Sequence, residues 1–470
     1  MLNLKELLFL LLETLQDDKK SLYSCLLVNK TWCEIVILIL WKNPWKYLEE
    51  KKRKLLFKVI ASHLSNETKE NLKSQGTNLS SIIRQKPLFN YINYCRYLNL
   101  YCLERIVSIK NIEESKISNV KNEIFKLFIN RNTRFTHLYI PQQCNYQTQL
   151  IPTGVERCFS ELKFLQFNSN INQNLLEGLI KTSKSIKRLE IYITSLNNNY
   201  EIITKLIGVQ KSLNEVLFIG DVTDEPFCKS LEESLIQHVE TVQYLRIDWK
   251  PITKILSYLE NLVSLEIFSS HHTDWSYLEN VSLPSLTILK TQRVPSKYLA
   301  GLIENTERHL TEISIDREGD DNNKKLIQAI YKNCPNILYL KLLFNNSNIL
   351  ELKNLLINCQ NLNGLVITLG NELDWDSLFK ILAESSPVCL FKFKFYCTRT
   401  LELESLKLFF DSWKDKHPML LQTMPVYDCM FDLINKYKAE GIVKKYDDNL
   451  YSFEDFEWIK KTTFFTSKGN

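Results

Sequence analysis

The sequence predicts an α/β fold in which a small helical unit is followed by a curved solenoid, with parallel strands on the concave side and helices on the convex side. Three observations support this prediction: a short apolar phrase recurs along the chain, helical patterns lie between its copies, and the first 48 residues contain no copy. The 470 residues are 44% apolar and 24% charged, as in ordinary globular proteins. A chain of this length forms about three domains or one extended repeat array.

The apolar pattern of residues 1–48 predicts three short helices. A leucine stripe ends at "QDDKKS", and a second apolar pattern begins near Ser21 and continues through "LVNKTWC" to a third. The stretch from Ser21 to Trp45 contains three of the eight tryptophans. Helices this short carry more apolar surface than they can bury among themselves. A partner helix or the adjacent repeats must therefore cover the excess.

Residues 49–134 are interpreted as a helical connector with irregular first repeats. The basic run "EEKKRK", which starts at Glu49, fits a solvated helix face, and "CRYLNL" at Cys95 fits an early irregular repeat.

Residues 135–402 contain the repeat. Its phrase is one apolar residue, two variable residues, one apolar, one variable and one apolar, and successive copies start 20 to 29 residues apart. This spacing and pattern predict a leucine-rich-repeat solenoid. The eleven copies start at Phe135, Leu162, Ile186, Leu213, Val242, Leu262, Leu286, Leu310, Ile337, Leu362 and Leu390.

The end of each phrase alternates as a strand does, so residues such as Leu165 and Phe167 are expected to point inward. Between the phrases, apolar residues three and four apart predict helices. Cys334 and Cys359 lie three residues before a phrase, at the expected helix-to-strand corner, and resemble the buried thiols of cysteine-containing leucine-rich repeats. Residues 403–470 contain further helical patterns and are expected to form a C-terminal capping region.

Composition excludes several classes of protein. The net charge of +5 is small and spread along the chain, so nucleic acid is not an expected partner. No stretch is long and apolar enough for a membrane span, and no signal peptide is expected. The scattered cysteines lack zinc or disulfide spacing, which favours reduced thiols and a cytoplasmic or nuclear location.

No catalytic motif is present, so we expect neither an enzyme nor a cofactor. The densest polar cluster, "SSHHTDW", contains His271, His272 and Asp274, and is more simply interpreted as a solvated loop than as a metal site.

The N-terminal pattern resembles the F-box: a leucine-rich helix, a polar break, Leu22 to Cys25 to Val28, and then Trp32. Followed by leucine-rich repeats, it resembles the substrate-recognition subunits of Skp-cullin-F-box ubiquitin ligases. The resemblance implies docking on a Skp-family linker and, through it, a cullin. Leu4 and Leu12 depart from the family, which usually has a proline and an aromatic residue there. The residues implied in docking or in supporting it are Leu7, Leu8, Leu11, Leu12, Leu15, Leu22, Cys25, Leu26, Val28 and Trp32.

A leucine-rich solenoid usually binds on its concave face, and the outward strand positions here mix charges with aromatics. Such a mixture suits a protein substrate better than a phosphate backbone. The expected substrate-binding residues are Tyr192, Tyr244, Arg246, Asp248, Phe268, Tyr339 and Lys341. Two alternatives remain open: a repeat scaffold with a degenerate F-box that acts outside any ligase, and a small-molecule pocket in the solenoid.

Overall fold

The computed structural model describes residues 4–46, 48–77, 79, 86–107, 114–141, 157–194, 199–220, 224–269, 275–316, 323–369, 374–396, 401–423 and 428–447. The chain divides into two compact units, residues 1–238 and 239–470. In each unit strands alternate with helices or short helical turns, and each strand pairs in parallel with its neighbours in chain order. The α/β class and the repeated parallel strands are confirmed.

The first unit begins with helices and continues with strand–helix repeats. Its helices are α1 (Leu4–Glu13), α2 (Lys19–Cys25), α3 (Lys30–Lys42), α4 (Glu50–Ala61), α5 (Asn66–Ser74), α6 (Tyr91–Tyr94), α7 (Leu100–Val107), α8 (Glu114–Phe128), α9 (Gln173–Thr182), α10 (Tyr200–Gly208) and α11 (Glu225–Ser234). Its strands are β1 (Tyr97–Asn99), β2 (His137–Tyr139), β3 (Phe164–Asn168), β4 (Arg188–Tyr192) and β5 (Glu215–Ile219).

The second unit contains nine described strands. They are β6 (Tyr244–Ile247), β7 (Ser264–Phe268), β8 (Ile288–Gln292), β9 (Glu312–Asp316), β10 (Tyr339–Phe344), β11 (Gly364–Leu369), β12 (Lys392–Tyr396), β13 (Met419–Thr423) and β14 (Val443–Asp447). Its helices are α12 (Ser296–Glu304), α13 (Asn323–Asn333), α14 (Ile349–Asn358), α15 (Trp375–Ser385), α16 (Leu403–Ser412) and α17 (Asp428–Ala439). The connections from β6 to β7 and from β7 to β8 contain 3-10 turns instead of α-helices.

Side-chain caps fix where α2 and α3 begin. An Asp18 carboxylate oxygen accepts a hydrogen bond from the Ser21 amide at 3.2 Å, and the Asn29 side-chain oxygen accepts from the Trp32 amide at 3.0 Å. These bonds satisfy amides that have no partner within their helix. The three helices share a core of Leu12, Leu22, Ile35, Val36 and Ile39.

All eleven phrases contain a strand whose inward positions are buried, although several outward positions, such as Glu190 and Glu266, are buried as well. Leu165 and Phe167 are fully buried, and Leu165 pairs in register with the equally buried Leu189 of β4. The corner thiols Cys334 and Cys359 are also fully buried, and burial raises the pKa of each to about 12. The ten described cysteines are all free.

The strand–helix pattern continues beyond residue 403, through α16, β13, α17 and β14. The phrase was not visible in β13 because Pro418 and Thr423 occupy two of its apolar positions, in register with Leu390 and Phe395 of the preceding repeat. "CRYLNL" forms β1, as an irregular first repeat. The bounds of the four regions given above remain predictions.

Candidate functional site: a helical apolar surface and the outer strand faces

The N-terminal helices expose many large apolar side chains. Of the 21 large apolar residues that are exposed in the described part of the chain, seven lie between residues 4 and 28. We call these seven the N-terminal apolar set; they are Leu4, Leu7, Leu10, Leu11, Tyr23, Leu27 and Val28. Leu4, Leu7 and Leu11 lie at helical spacing on one face of α1. Apolar side chains that lie together on one exposed face are typical of surfaces that bind a partner.

The ten residues predicted for docking have different positions in the bundle. Leu12 and Leu22 are fully buried in its core. Five are half-buried against that core: Leu8, Leu15, Cys25, Leu26 and Trp32. Leu7, Leu11 and Val28 are 50%, 59% and 55% exposed. The prediction omitted Leu4, Leu10, Tyr23 and Leu27, although the helical spacing of Leu4 with Leu7 and Leu11 could have identified the first of them.

Helix α3 is joined directly to the first strand. Trp45 donates a hydrogen bond from Nε1 to the Tyr97 carbonyl at 2.6 Å, and the Arg96 amide donates to the Lys42 carbonyl at 2.9 Å. Trp41 stacks on Tyr91 with ring centroids 4.6 Å apart. The bundle is therefore held against β1 through backbone and aromatic contacts.

Side chains at the outward positions of the strands form what we call the outer face. On β1–β4 this face carries stacked aromatic rings. His137 lies between Tyr97 and Phe164, with ring centroids at 3.8 and 5.5 Å. Burial, together with the nearby Lys42 and Arg188, lowers the pKa of His137 to about 4. The ring is therefore neutral near pH 7 and acts as an aromatic contact. These residues were not predicted from the sequence, because His137 and Tyr97 occupy a position that the repeated phrase leaves variable.

Beside these rings, one guanidinium bridges two carboxylates. Arg188 donates from Nε to Glu190 at 2.9 Å and from Nη1 to Glu215 on the next strand at 3.0 Å. Burial raises the pKa of Glu215, and Arg188 counteracts only part of this effect. Tyr192, at the end of the same strand as Arg188, is 37% exposed and is the one exposed residue of the seven predicted for substrate binding.

In the second unit the charged residues of the outer face form ion pairs with one another, both along a strand and between neighbouring strands. Arg246 binds Asp248 through two hydrogen bonds of 2.9 and 3.2 Å, and its guanidinium lies 4.4 Å from the ring centre of Phe268. The structure thus brings together three of the predicted substrate residues. Tyr244 is half-buried on the same strand. Most of the charge on this part of the face is engaged within the protein.

The pairing continues along the next strands. The Lys290 ammonium lies 2.9 Å from a carboxylate oxygen of Glu266 and 3.5 Å from one of Glu312. It therefore forms ion pairs with carboxylates on both neighbouring strands. Lys341 binds Asp316 at 3.0 Å. We call the contacts among Glu266, Lys290 and Glu312 the ion-pair ladder.

Two predicted substrate residues are buried. Tyr339 is 5% and Lys341 is 8% exposed. Tyr339 packs with Val366 and Tyr396, and the Lys341 ammonium lies 5.2 Å from the Tyr396 ring centre. In this arrangement both side chains stabilise the outer face instead of presenting themselves to a ligand.

A separate groove of about 620 Å³ lies between α5 and α8. Carboxamides line it from both sides: Asn71 of α5 and Gln75 just after α5, and Asn119 and Asn122 of α8. Asn119 donates to Gln75 at 2.9 Å and closes part of the opening. The groove is polar, and it lies away from the strand faces for which a small-molecule pocket was considered.

Other kinds of site were also sought. No cluster of three or more potential metal ligands occurs among the described residues. His271, His272 and Asp274 lie outside the described residues. Within the described ranges, no helix has the length and apolar character needed to cross a membrane.

Comparisons with known proteins show a weak structural similarity to a solved structure. No protein-family model matches the chain, and no curated protein matches it. A chain in the crystal structure of the Rad7 and Elc1 complex in yeast is similar to it, with 14% sequence identity and a TM-score of 0.37. The similarity covers 60% of this chain and 82% of that chain. A TM-score this low supports no transfer of function.

Proposed function

We propose that this protein is the substrate-recognition adaptor of a Skp-cullin-F-box ubiquitin ligase. The N-terminal helices dock on a Skp-family linker, which connects to a cullin, and the outer strand faces hold a protein substrate. The protein itself is noncatalytic in this proposal, because recruited partners transfer the ubiquitin. A cytoplasmic or nuclear location belongs to the same proposal, and the ten free thiols suit it.

The observation that carries the proposal is the exposure of the N-terminal apolar set. Leu4 is 80% and Leu27 is 88% exposed, whereas Leu12 of the same bundle is fully buried. Burial of a leucine side chain stabilises by about 1.5–3 kcal/mol, so two or three of these residues could dominate an interface. Together with the F-box pattern of the sequence, this favours a helical linker as the partner.

The positions of the predicted docking residues refine the proposal. Trp32 packs against the bundle core, and its loss would disturb the fold as well as any interface. Leu7 and Leu11 lie on the exposed face of α1 and are better tests, because their side chains contribute little to the core.

The decisive experiment measures binding of the full chain to a purified Skp-family linker by calorimetry. We expect wild type to bind and Leu7→Asp with Leu11→Asp to bind at least about 100-fold more weakly, since roughly 3 kcal/mol of interface burial is lost. Leu350→Asp with Leu408→Asp is the matched control, because these leucines are 75% and 59% exposed elsewhere in the chain. The control should bind as wild type does.

Two outcomes would contradict the proposal. Folded wild type that binds no Skp-family linker would exclude the ligase role. Equal weakening by the control pair would show that the effect is not specific to α1.

The second candidate function is a protein-interaction scaffold that acts outside any ligase. It is favoured by one observation: Leu12 and Leu22, two of the ten residues predicted for docking, are buried in the bundle core and do not face a partner. This candidate predicts that the strand faces bind a protein while the helices bind no linker.

A further inference from the structure

One face of helix α4 carries three lysines around an exposed leucine. Lys51, Lys54 and Lys58 are exposed and lie three and four residues apart, which places them on one side of the helix. Leu55, between the last two, is 61% exposed. We call these four residues the lysine stripe. The opposite side of α4 is anchored in the first unit by Phe57, Ile60 and Ala61, which are all buried.

None of the three lysines forms an ion pair among the described residues. The acidic residues at the start of α4 are engaged elsewhere: Glu49 binds Lys52 at 3.1 Å, and Glu50 binds Arg53 at 2.6 Å and Arg105 at 3.6 Å. The positive charge of the stripe is therefore not neutralised by its own helix.

Further cations lie close to the start of α4. Burial lowers the pKa of Lys19, and the neighbouring Lys52 and Lys46 lower it further, although Glu49 acts in the opposite direction. Like charges that disfavour one another in this way favour the approach of an anion. Lys46 and Lys52 are themselves paired with Asp17 and Glu49, so the positive charge that no described ion pair offsets lies on the lysine stripe.

We propose that the lysine stripe binds an acidic segment of a partner protein, in which carboxylates flank an apolar residue. The stripe spans about 10 Å along the helix, a length that two turns of a partner helix or a short extended segment can match. Leu55 supplies an apolar contact at its centre. This surface is independent of the N-terminal apolar set and of the strand faces.

A protein partner fits the stripe better than the other anionic macromolecules. A phosphate backbone would gain nothing from Leu55 and would approach Glu50, whose side chain is 74% exposed. A membrane-bound helix needs a wide apolar face, and this face offers a single leucine.

The test uses the full chain and a fluorescein-labelled peptide of repeated Glu-Leu-Glu units, with a Gln-Leu-Gln peptide as the neutral control. Anisotropy should show saturable binding of the acidic peptide, weakened by salt. Lys51→Glu, Lys54→Glu and Lys58→Glu together should weaken it at least about tenfold, since three exposed contacts are each reversed.

A matched charge reversal uses Lys325, Lys332 and Lys353, which are exposed lysines of α13 and α14 without a described ion pair. Changing these three to Glu should leave peptide binding unchanged. Leu55→Ser should weaken binding without changing its salt dependence.

The proposal is overturned if wild type does not bind the acidic peptide, or if both triple variants weaken binding equally. It is also overturned if a DNA duplex or phosphatidylserine vesicles bind the stripe more tightly than the peptide. Neither result would bear on docking of the Skp-family linker, which is measured with different variants.

Discussion

The ion-pair ladder makes Lys290→Met the most informative single change in the second unit. The Glu266 side chain is 8% exposed and lies 2.9 Å from the Lys290 ammonium. Without that ammonium the Glu266 carboxylate stays buried, and its remaining partners are Tyr244 and Arg246, which stabilise it less. Removing one member of a buried pair costs about 3–5 kcal/mol, and because the Lys290 side chain is 22% exposed we expect about 2–3 kcal/mol here.

The effect should depend on pH in a defined direction. Burial alone would raise the pKa of Glu266, but Lys290, Tyr244 and Arg246 together outweigh burial and hold this pKa below its ordinary value of 4.5. In wild type the pair therefore stabilises above pH 4.5 and loses this contribution as the pH falls through the lowered pKa. In Lys290→Met burial dominates and raises the pKa of Glu266. The destabilisation should then be largest near neutral pH and shrink as protonation removes the buried charge.

The measurement is denaturant unfolding followed by tryptophan fluorescence, at about pH 7 and about pH 5. The matched control is Lys297→Met, which removes an exposed ion pair of 3.3 Å with Glu279 and should cost at most about 1 kcal/mol. Glu266→Gln combined with Lys290→Met should recover much of the loss. The reasoning is refuted if Lys290→Met costs no more than the control, or if the double variant is as unstable as the single one.

Three further predictions concern the first unit and the corner thiols. Trp45→Phe removes the 2.6 Å bond to the Tyr97 carbonyl and should lower the free energy of unfolding by about 1–2 kcal/mol, with faster hydrogen exchange at β1. His137→Phe should flatten the loss of stability that wild type shows as the pH falls from 6.5 towards about 4, because the lowered pKa makes protonation favour the unfolded chain. Cys334, with its pKa near 12, should resist a thiol reagent that labels the exposed Cys429; early labelling of Cys334 would contradict its burial.

The strand positions could be predicted from the sequence because apolar residues must alternate wherever one side of a strand is buried. All eleven phrases therefore contain strands, whereas β13 was missed where Pro418 and Thr423 replace apolar residues. The outer faces were harder to predict. Whether Arg246 meets a ligand or Asp248 depends on neighbouring side chains, and the phrase leaves those positions variable.

The same limit applies to the N-terminal helices. Leu11 and Leu12 are adjacent in the leucine-rich pattern of α1, but Leu11 is 59% exposed and Leu12 is fully buried. The difference is set by packing on α3, which the periodicity of α1 alone does not specify. The neutral state of His137 likewise results from burial between two rings that are distant in sequence.

The contacts between the end of α3 and β1 also cover an edge of the sheet at which another chain could pair. β1 is the first strand of the parallel sheet in its unit, and an uncovered first strand would offer its free backbone groups to another chain. The Lys42 carbonyl and the Trp45 indole occupy backbone groups of Arg96 and Tyr97 beside that edge. A chain shortened to the repeats alone would lose this cover and become prone to edge-to-edge aggregation.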